Sequence, residues 1–166
     1  AGIRGGRNIH GPNSKLLESL NDPPYCTAVR GVGVDGIVND RNQQVFSSWA
    51  AGMDDPLRIV IVGEEVFARI EVPYGGCGTP GVKLTNGKWS HVAAVKRGTT
   101  LELYVDGELK GTCVAPASTF TMARNLAIGT NPNYSGNECL LGKLDDFAFW
   151  ARALAAEEVA QLAQGD

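Results

Sequence analysis

Three carboxylate pairs, two histidines and four cysteines are the residues of this chain whose types and spacing could do chemistry. Glycoside hydrolysis needs two carboxyl groups facing one cleft, one ionised and one protonated. On a strand, that requires acidic residues at i and i+2, or i and i+4. Glu64-Glu65 reads as part of a turn, and Asp145-Asp146 are adjacent and so face opposite sides. Glu102 and Asp106 share a face but flank a hairpin, and the run Glu-x-Asp-x-x-Glu is absent. A lyase needs a base such as His or Tyr beside a charge-neutralising partner. His10 has no obvious partner, and His91 reads as a packed strand residue. No Gly-x-Ser-x-Gly occurs, and no single cysteine stands out as a nucleophile. The constellations that catalysis requires are missing, so an enzyme is not expected.

The cysteines are Cys26, Cys77, Cys113 and Cys139. None is spaced as Cys-x-x-Cys, which argues against a zinc ribbon or a redox motif. Two disulfides formed in an oxidising compartment fit better than four reduced thiols. Three pairings are possible, and Cys113–Cys139 with Cys26–Cys77 is the expected one.

The elements that must position these groups read as strands. Apolar residues alternate with period two over most of the chain. Leu57–Val62 and Val66–Val72 flank Gly63-Glu64-Glu65 and form a hairpin. Trp89–Lys96 is a further strand. Leu101, Leu103 and Val105 alternate with Glu102, Tyr104 and Asp106, and Asp106-Gly107 supplies a type I′ turn. The returning strand is Glu108–Val114, followed by Asn125–Gly129, a loop over Asn131–Gly136, and a long strand over Leu140–Trp150. The helix expected at Ala155–Ala163 has Leu154, Val159 and Leu162 as its apolar side. With 21 glycines marking turns, the reading is an all-β, two-sheet antiparallel jelly-roll sandwich with a short C-terminal helix.

Bulk properties narrow the partners. Fifteen Lys and Arg against 18 Asp and Glu leave a net charge of -3. The densest N-terminal basic cluster is only Arg4 and Arg7, so nucleic acid held through phosphates is not expected. No apolar run approaches the length of a membrane span, so membrane insertion is not expected either. The chain shows no signal peptide and starts in a glycine-rich segment, which reads as an excised domain or a mature product.

From Gly87 onward the chain resembles the laminin-G-like jelly-roll family of the concanavalin A-like lectin/glucanase superfamily. The matching residues are Gly87-Lys88-Trp89-Ser90-His91-Val92-Ala93 and Leu101-Glu102-Leu103-Tyr104-Val105-Asp106-Gly107. Leu126-Ala127-Ile128-Gly129 follows, then Gly142–Trp150, Ala153-Leu154 and Glu157-Glu158-Val159. The first half diverges: Ile3-Arg4-Gly5 stands where the family has Phe-Asp-Gly, and Thr27–Val34 lacks the usual tryptophan. One domain is expected over residues 1–166. The resemblance implies a role in carbohydrate or protein recognition. It places Trp89 and Tyr104 in the framework, as core residues.

A sugar presents apolar C–H faces and polar hydroxyl edges, so its site needs an aromatic platform with fixed polar groups beside it. Trp49, at a strand end, and the loop residues Tyr74 and Tyr134 are the candidates, with Asn131, Asn133 and Asn137 as amide partners. Trp150 is expected to pack on the helix, and Tyr25 is ambiguous. Asn133-Tyr134-Ser135 is also an N-glycosylation sequon. Structural calcium is a second expectation, because many relatives carry it. Asp145 stands at the family's acidic position, although Arg4 replaces the expected N-terminal acid. Asp35, Asn39 and Asp40, and separately Asp54 and Asp55, are other oxygen-rich stretches. The expected function is a non-catalytic module that binds a polysaccharide or glycan. It would belong to a larger secreted or cell-surface protein with other domains. A protein-interaction or adhesion module of the same fold is the alternative.

Overall fold

The computed structural model describes residues 7–9, 25–34, 41–49, 55–71, 76–116, 123, 125–133 and 138–165. Twelve strands and one helix lie among them. The strands are β1 (Arg7–Ile9), β2 (Tyr25–Val34), β3 (Asn42–Trp49), β4 (Asp55–Val62), β5 (Glu65–Glu71) and β6 (Cys77–Gly78), then β7 (Val82–Lys83), β8 (Trp89–Arg97), β9 (Thr100–Val105), β10 (Glu108–Val114), β11 (Asn125–Ile128) and β12 (Gly142–Trp150). The helix, α1, is Ala156–Gln164.

Two antiparallel sheets result. The larger runs β1-β11-β3-β4-β5-β6, with β7 also paired to β5, and the smaller runs β10-β9-β8-β2-β12. This is the sandwich that the period-two pattern predicts. Val45, Phe46, Ile59, Ile61 and Leu126 of the large sheet meet Val92, Ala94, Leu101, Leu103 and Leu144 of the small one. Each such large side chain contributes roughly 1.5–3 kcal/mol by leaving water. Phe46 stacks on Phe147 across the sandwich, ring centroids 5.6 Å apart.

The turns follow local chemistry. Asp106 (φ 52°) and Gly107 (φ 81°) both adopt the left-handed conformation that a type I′ turn demands. The Asp106 carboxylate accepts the His91 N–H at 2.9 Å, tying the turn to β8. The β4–β5 turn contracts to Gly63-Glu64, so Glu65 already belongs to β5.

β8 is buried on both faces because α1 covers the outside of the small sheet. Ala93 and Val95 form a second cluster with Tyr104, Leu154 and Val159, and Trp150 and Leu162 pack against it. The helix begins without a side-chain cap at Ala155. Glu158 compensates. Its carboxylate accepts the Ala155 N–H at 2.8 Å and two bonds from the Arg152 guanidinium, at 2.8 and 2.5 Å. The Arg152 bonds first, and the Ala155 N–H second, hold the Glu158 carboxyl down to about 2.

Two expectations need correction. Tyr104 is buried, but Trp89 is 53% exposed, because it lies at the start of β8 on the outer face, beyond the patch that α1 covers. The disulfide joins Cys77 to Cys113, not Cys113 to Cys139 or Cys26 to Cys77. β10 and β12 are opposite edges of the small sheet, roughly 19 Å apart at about 4.8 Å per strand step. Cys139 lies just before β12 and is unpaired, with its sulfur 3.2 Å from Thr130 Oγ1. Cys113, on β10, instead faces Cys77 on the edge strand β6 of the large sheet, with Cα atoms 5.9 Å apart. The bond clamps the two sheets together along one side.

Candidate ligand-binding site

The large sheet sets the face on which Trp49 sits. Leu126 of β11 is in the core, and Ser48 of β3 points the same way, its hydroxyl bonded to both the N–H and the C=O of Leu57. Their neighbours Asn125 and Trp49 therefore face outward. The antiparallel register puts Asn125 directly opposite Trp49. Ser47 and Arg58, opposite one another, continue the same face. Glu71 is ion-paired with Arg58 and lies 3.5 Å from Arg69. The face therefore mixes these polar groups with apolar Ala127 and Val60, and much of it is buried.

Of the residues expected to bind, the fold gathers two. Asn133 is exposed in the loop after β11, and its Oδ1 accepts from Asn125 Nδ2 at 3.4 Å. Trp49, Asn125 and Asn133 thus form one rim at the β3–β11 end of the large sheet, an indole beside two amides. Asn131 plays a different part. It is only 2% exposed, its Nδ2 donates to Glu138 at 2.7 Å, and its Oδ1 accepts the Asn133 N–H at 2.9 Å. Glu138 also accepts from Gln44 Nε2 at 2.8 Å. Asn131 is therefore a bracket that fixes the loop carrying Asn133 to β3, not a group presented to solvent. Tyr74, Tyr134 and Asn137 lie outside the described residues.

Asn125 and Glu138 join this candidate site although no sequence motif marks them. Asn125 gains its place only from the pairing of β11 with β3, which are far apart in the chain. Glu138 carried no motif; its role exists only where the loop folds back over Gln44.

Asp145 sits elsewhere, on the outer side of the small sheet opposite Gly31, its Oδ1 accepting the Asp146 N–H at 3.1 Å. Among the described residues, no three His, Cys, Asp or Glu side chains converge as a metal site. Asp35, Asn39, Asp40 and Asp54 lie outside the described residues.

Against known families, residues 37–160 match a laminin-G model of the concanavalin A-like lectin/glucanases superfamily. The chain belongs to that superfamily. No curated protein matches its sequence. Among solved structures it is similar to the binding domain of botulinum neurotoxin DC in complex with SialylT, with a TM-score of 0.74 and 9% identity. A protein of Bacteroides ovatus proposed to bind carbohydrate gives a TM-score of 0.70 and 13% identity. Mouse laminin alpha1 domains LG4-5 give 0.68 and 14%. These alignments cover 96%, 96% and 92% of this chain, and only 39%, 45% and 42% of the other chains. At such identities the likeness establishes the fold alone. As a laminin-G-type domain the chain has a two-sheet jelly roll, and no described helix is long and apolar enough to cross a membrane.

Proposed function

We propose that this laminin-G-type domain is a non-catalytic carbohydrate-binding module of a larger secreted or surface protein. The rim formed by Trp49, Asn125 and Asn133 is the observation that carries this reading. The Trp49 indole offers an apolar plane for the C–H face of a pyranose, and the two amides offer donors and acceptors for its hydroxyls. The loop is braced by Asn131 and Glu138, so the amides are held before ligand arrives, which lowers the ordering cost of binding. The carboxylates near this face are already engaged: Glu71 by two arginines, Glu138 by two amides. Such carboxylates suit a scaffold better than acid–base catalysis. Structural neighbours that include a complex with SialylT and a protein proposed to bind carbohydrate favour the same ligand class.

Affinity electrophoresis against a panel of soluble polysaccharides, with calcium and then with a chelator, tests the proposal. Retardation by one polymer class is expected, and Trp49→Ala should weaken it at least about tenfold, the scale of one lost aromatic contact and its partners. Loss of binding with chelator would assign calcium a role in the site or its scaffold. No retardation by any polymer would overturn the proposal.

A second reading, as a protein-interaction module, rests on one specific feature. β10 is an open sheet edge that exposes Leu109 (51%) and Val114 (83%). Such an edge can accept a partner strand.

A further inference from the structure

The outer face of the small sheet carries a second aromatic platform, unrelated to the Trp49 rim. The Trp89 indole lies against β2 where that strand has no side chains. A Cβ placed on Gly31 would sit 2.9 Å from the ring, and one on Gly33 3.4 Å. The six-membered ring of the indole thus lies close to the β2 backbone, while the residue as a whole stays 53% exposed. Beside it opens a cleft of about 440 Å³, bounded by Trp89, by Asp106 and Glu108 of the β9–β10 hairpin, and by Ala160, Ala163 and Gln164 of α1. That volume falls within the range of small-ligand sites, roughly 300–1,000 Å³.

The lining of this cleft holds two carboxylates and one imidazole, that of the buried His91, with Lys110 beside it as the partner of Glu108. Asp106 uses Oδ1 to hold the His91 N–H, so Oδ2 is available to face a ligand. Glu108 contributes a second carboxylate, and its salt bridge to Lys110 holds its carboxyl below the usual range. No Lys or Arg is among the described residues lining the cleft. The C-terminal end of α1 opens here with no basic residue in its last turn. That end carries partial negative charge from its unpaired carbonyls. An indole face, two carboxylates and a helix C-terminus all attract a cation. The cleft is too large for an ammonium group alone, and the flat open indole suits the C–H face of a sugar ring.

We propose that this cleft binds a protonated amino sugar, the pyranose stacking on Trp89 and the ammonium group lying against Asp106, Glu108 and the end of α1. The site is independent of the Trp49 rim and does not require the rim to bind anything.

The test is calorimetric titration of the whole domain with the glucosamine tetrasaccharide and, separately, with its fully N-acetylated counterpart. The charged tetrasaccharide should bind at least about tenfold more tightly, since acetylation removes the charge and leaves the ring. Raising the salt to about 0.5 M should weaken it several-fold by screening. Asp106→Asn keeps the acceptor for His91 and should cost about tenfold, as should Trp89→Ala. Trp49→Ala should leave this binding unchanged, so failure at one site is separable from failure at the other. Equal affinity for the acetylated oligomer, or no effect of Asp106→Asn, would overturn the proposal. So would absence of binding at millimolar ligand. Equal binding of a lysine homopolymer would show that the cleft reads charge alone and would overturn its assignment to a sugar.

Discussion

Replacing either half of the Cys77–Cys113 bond by serine should destabilise the domain far more than replacing Cys139. The bond closes a loop with a sequence separation of 36. In the chain-entropy description, cross-linking such a loop removes about 13 cal/mol/K from the unfolded ensemble, or about 4 kcal/mol at 25 °C. The native geometry supports this. β6 and β10 are edge strands of different sheets, and Pro80 already approaches β10 so closely that a Cβ on Gly111 would meet its ring at 2.9 Å. The bond therefore adds to an existing contact rather than forcing a new one. At about 2–4 °C per kcal/mol for a domain of this size, the midpoint of melting should fall by roughly 8–16 °C. Urea unfolding of Cys77→Ser, Cys113→Ser, their double variant and Cys139→Ser supplies the assay. The double variant should be no less stable than either single, because both remove the same bond. Cys139→Ser should stay within about 1 kcal/mol of the parent, the scale of one weak thiol–hydroxyl contact. A peptide linking Cys113 to Cys139 in a non-reducing digest would refute the reasoning. So would a Cys139→Ser variant as unstable as Cys77→Ser.

Three further outcomes follow from local contacts. The folded Glu158 carboxyl sits at about 2 against an ordinary 4.5, so its stabilising effect is present above pH 4.5 and is lost as the pH falls toward 2. The urea midpoint of the parent should drop through that window, whereas Glu158→Gln should start lower at neutral pH and show less of the drop. Ser48→Ala strands the buried N–H and C=O of Leu57 and should cost about 1–3 kcal/mol in urea unfolding. Gly107→Ala places a side chain at φ 81°, with Ala160 Cα and Ala163 Cβ each 3.1 Å from the new carbon. It should cost about 1–2 kcal/mol from the backbone alone, and hydrogen exchange in α1 should quicken as the helix is pushed away.

The sequence by itself determined the elements and the fold class. Alternation of Leu101, Leu103 and Val105 places three side chains in one core, because the pleat repeats every two residues. Asp106-Gly107 determined a hairpin, because few other residues tolerate that turn. The pairing of Val159 with Leu154 followed from helical periodicity and from a sheet face that needed cover. Tertiary structure alone decided what meets across the chain. Whether Trp89 is core or surface depends on how far α1 reaches over β8, and nothing within the local motif encodes that reach. Cys113 pairs with Cys77 because strand order brings two edges together, while proximity in the chain to Cys139 counts for nothing. Trp49 acquires Asn125 and Asn133 as neighbours through the β3–β11 register, and Asn131 turns inward because Glu138 is there to receive it. Local periodicity constrains each strand's two faces, but only the closing of non-local pairs decides which residues share a face.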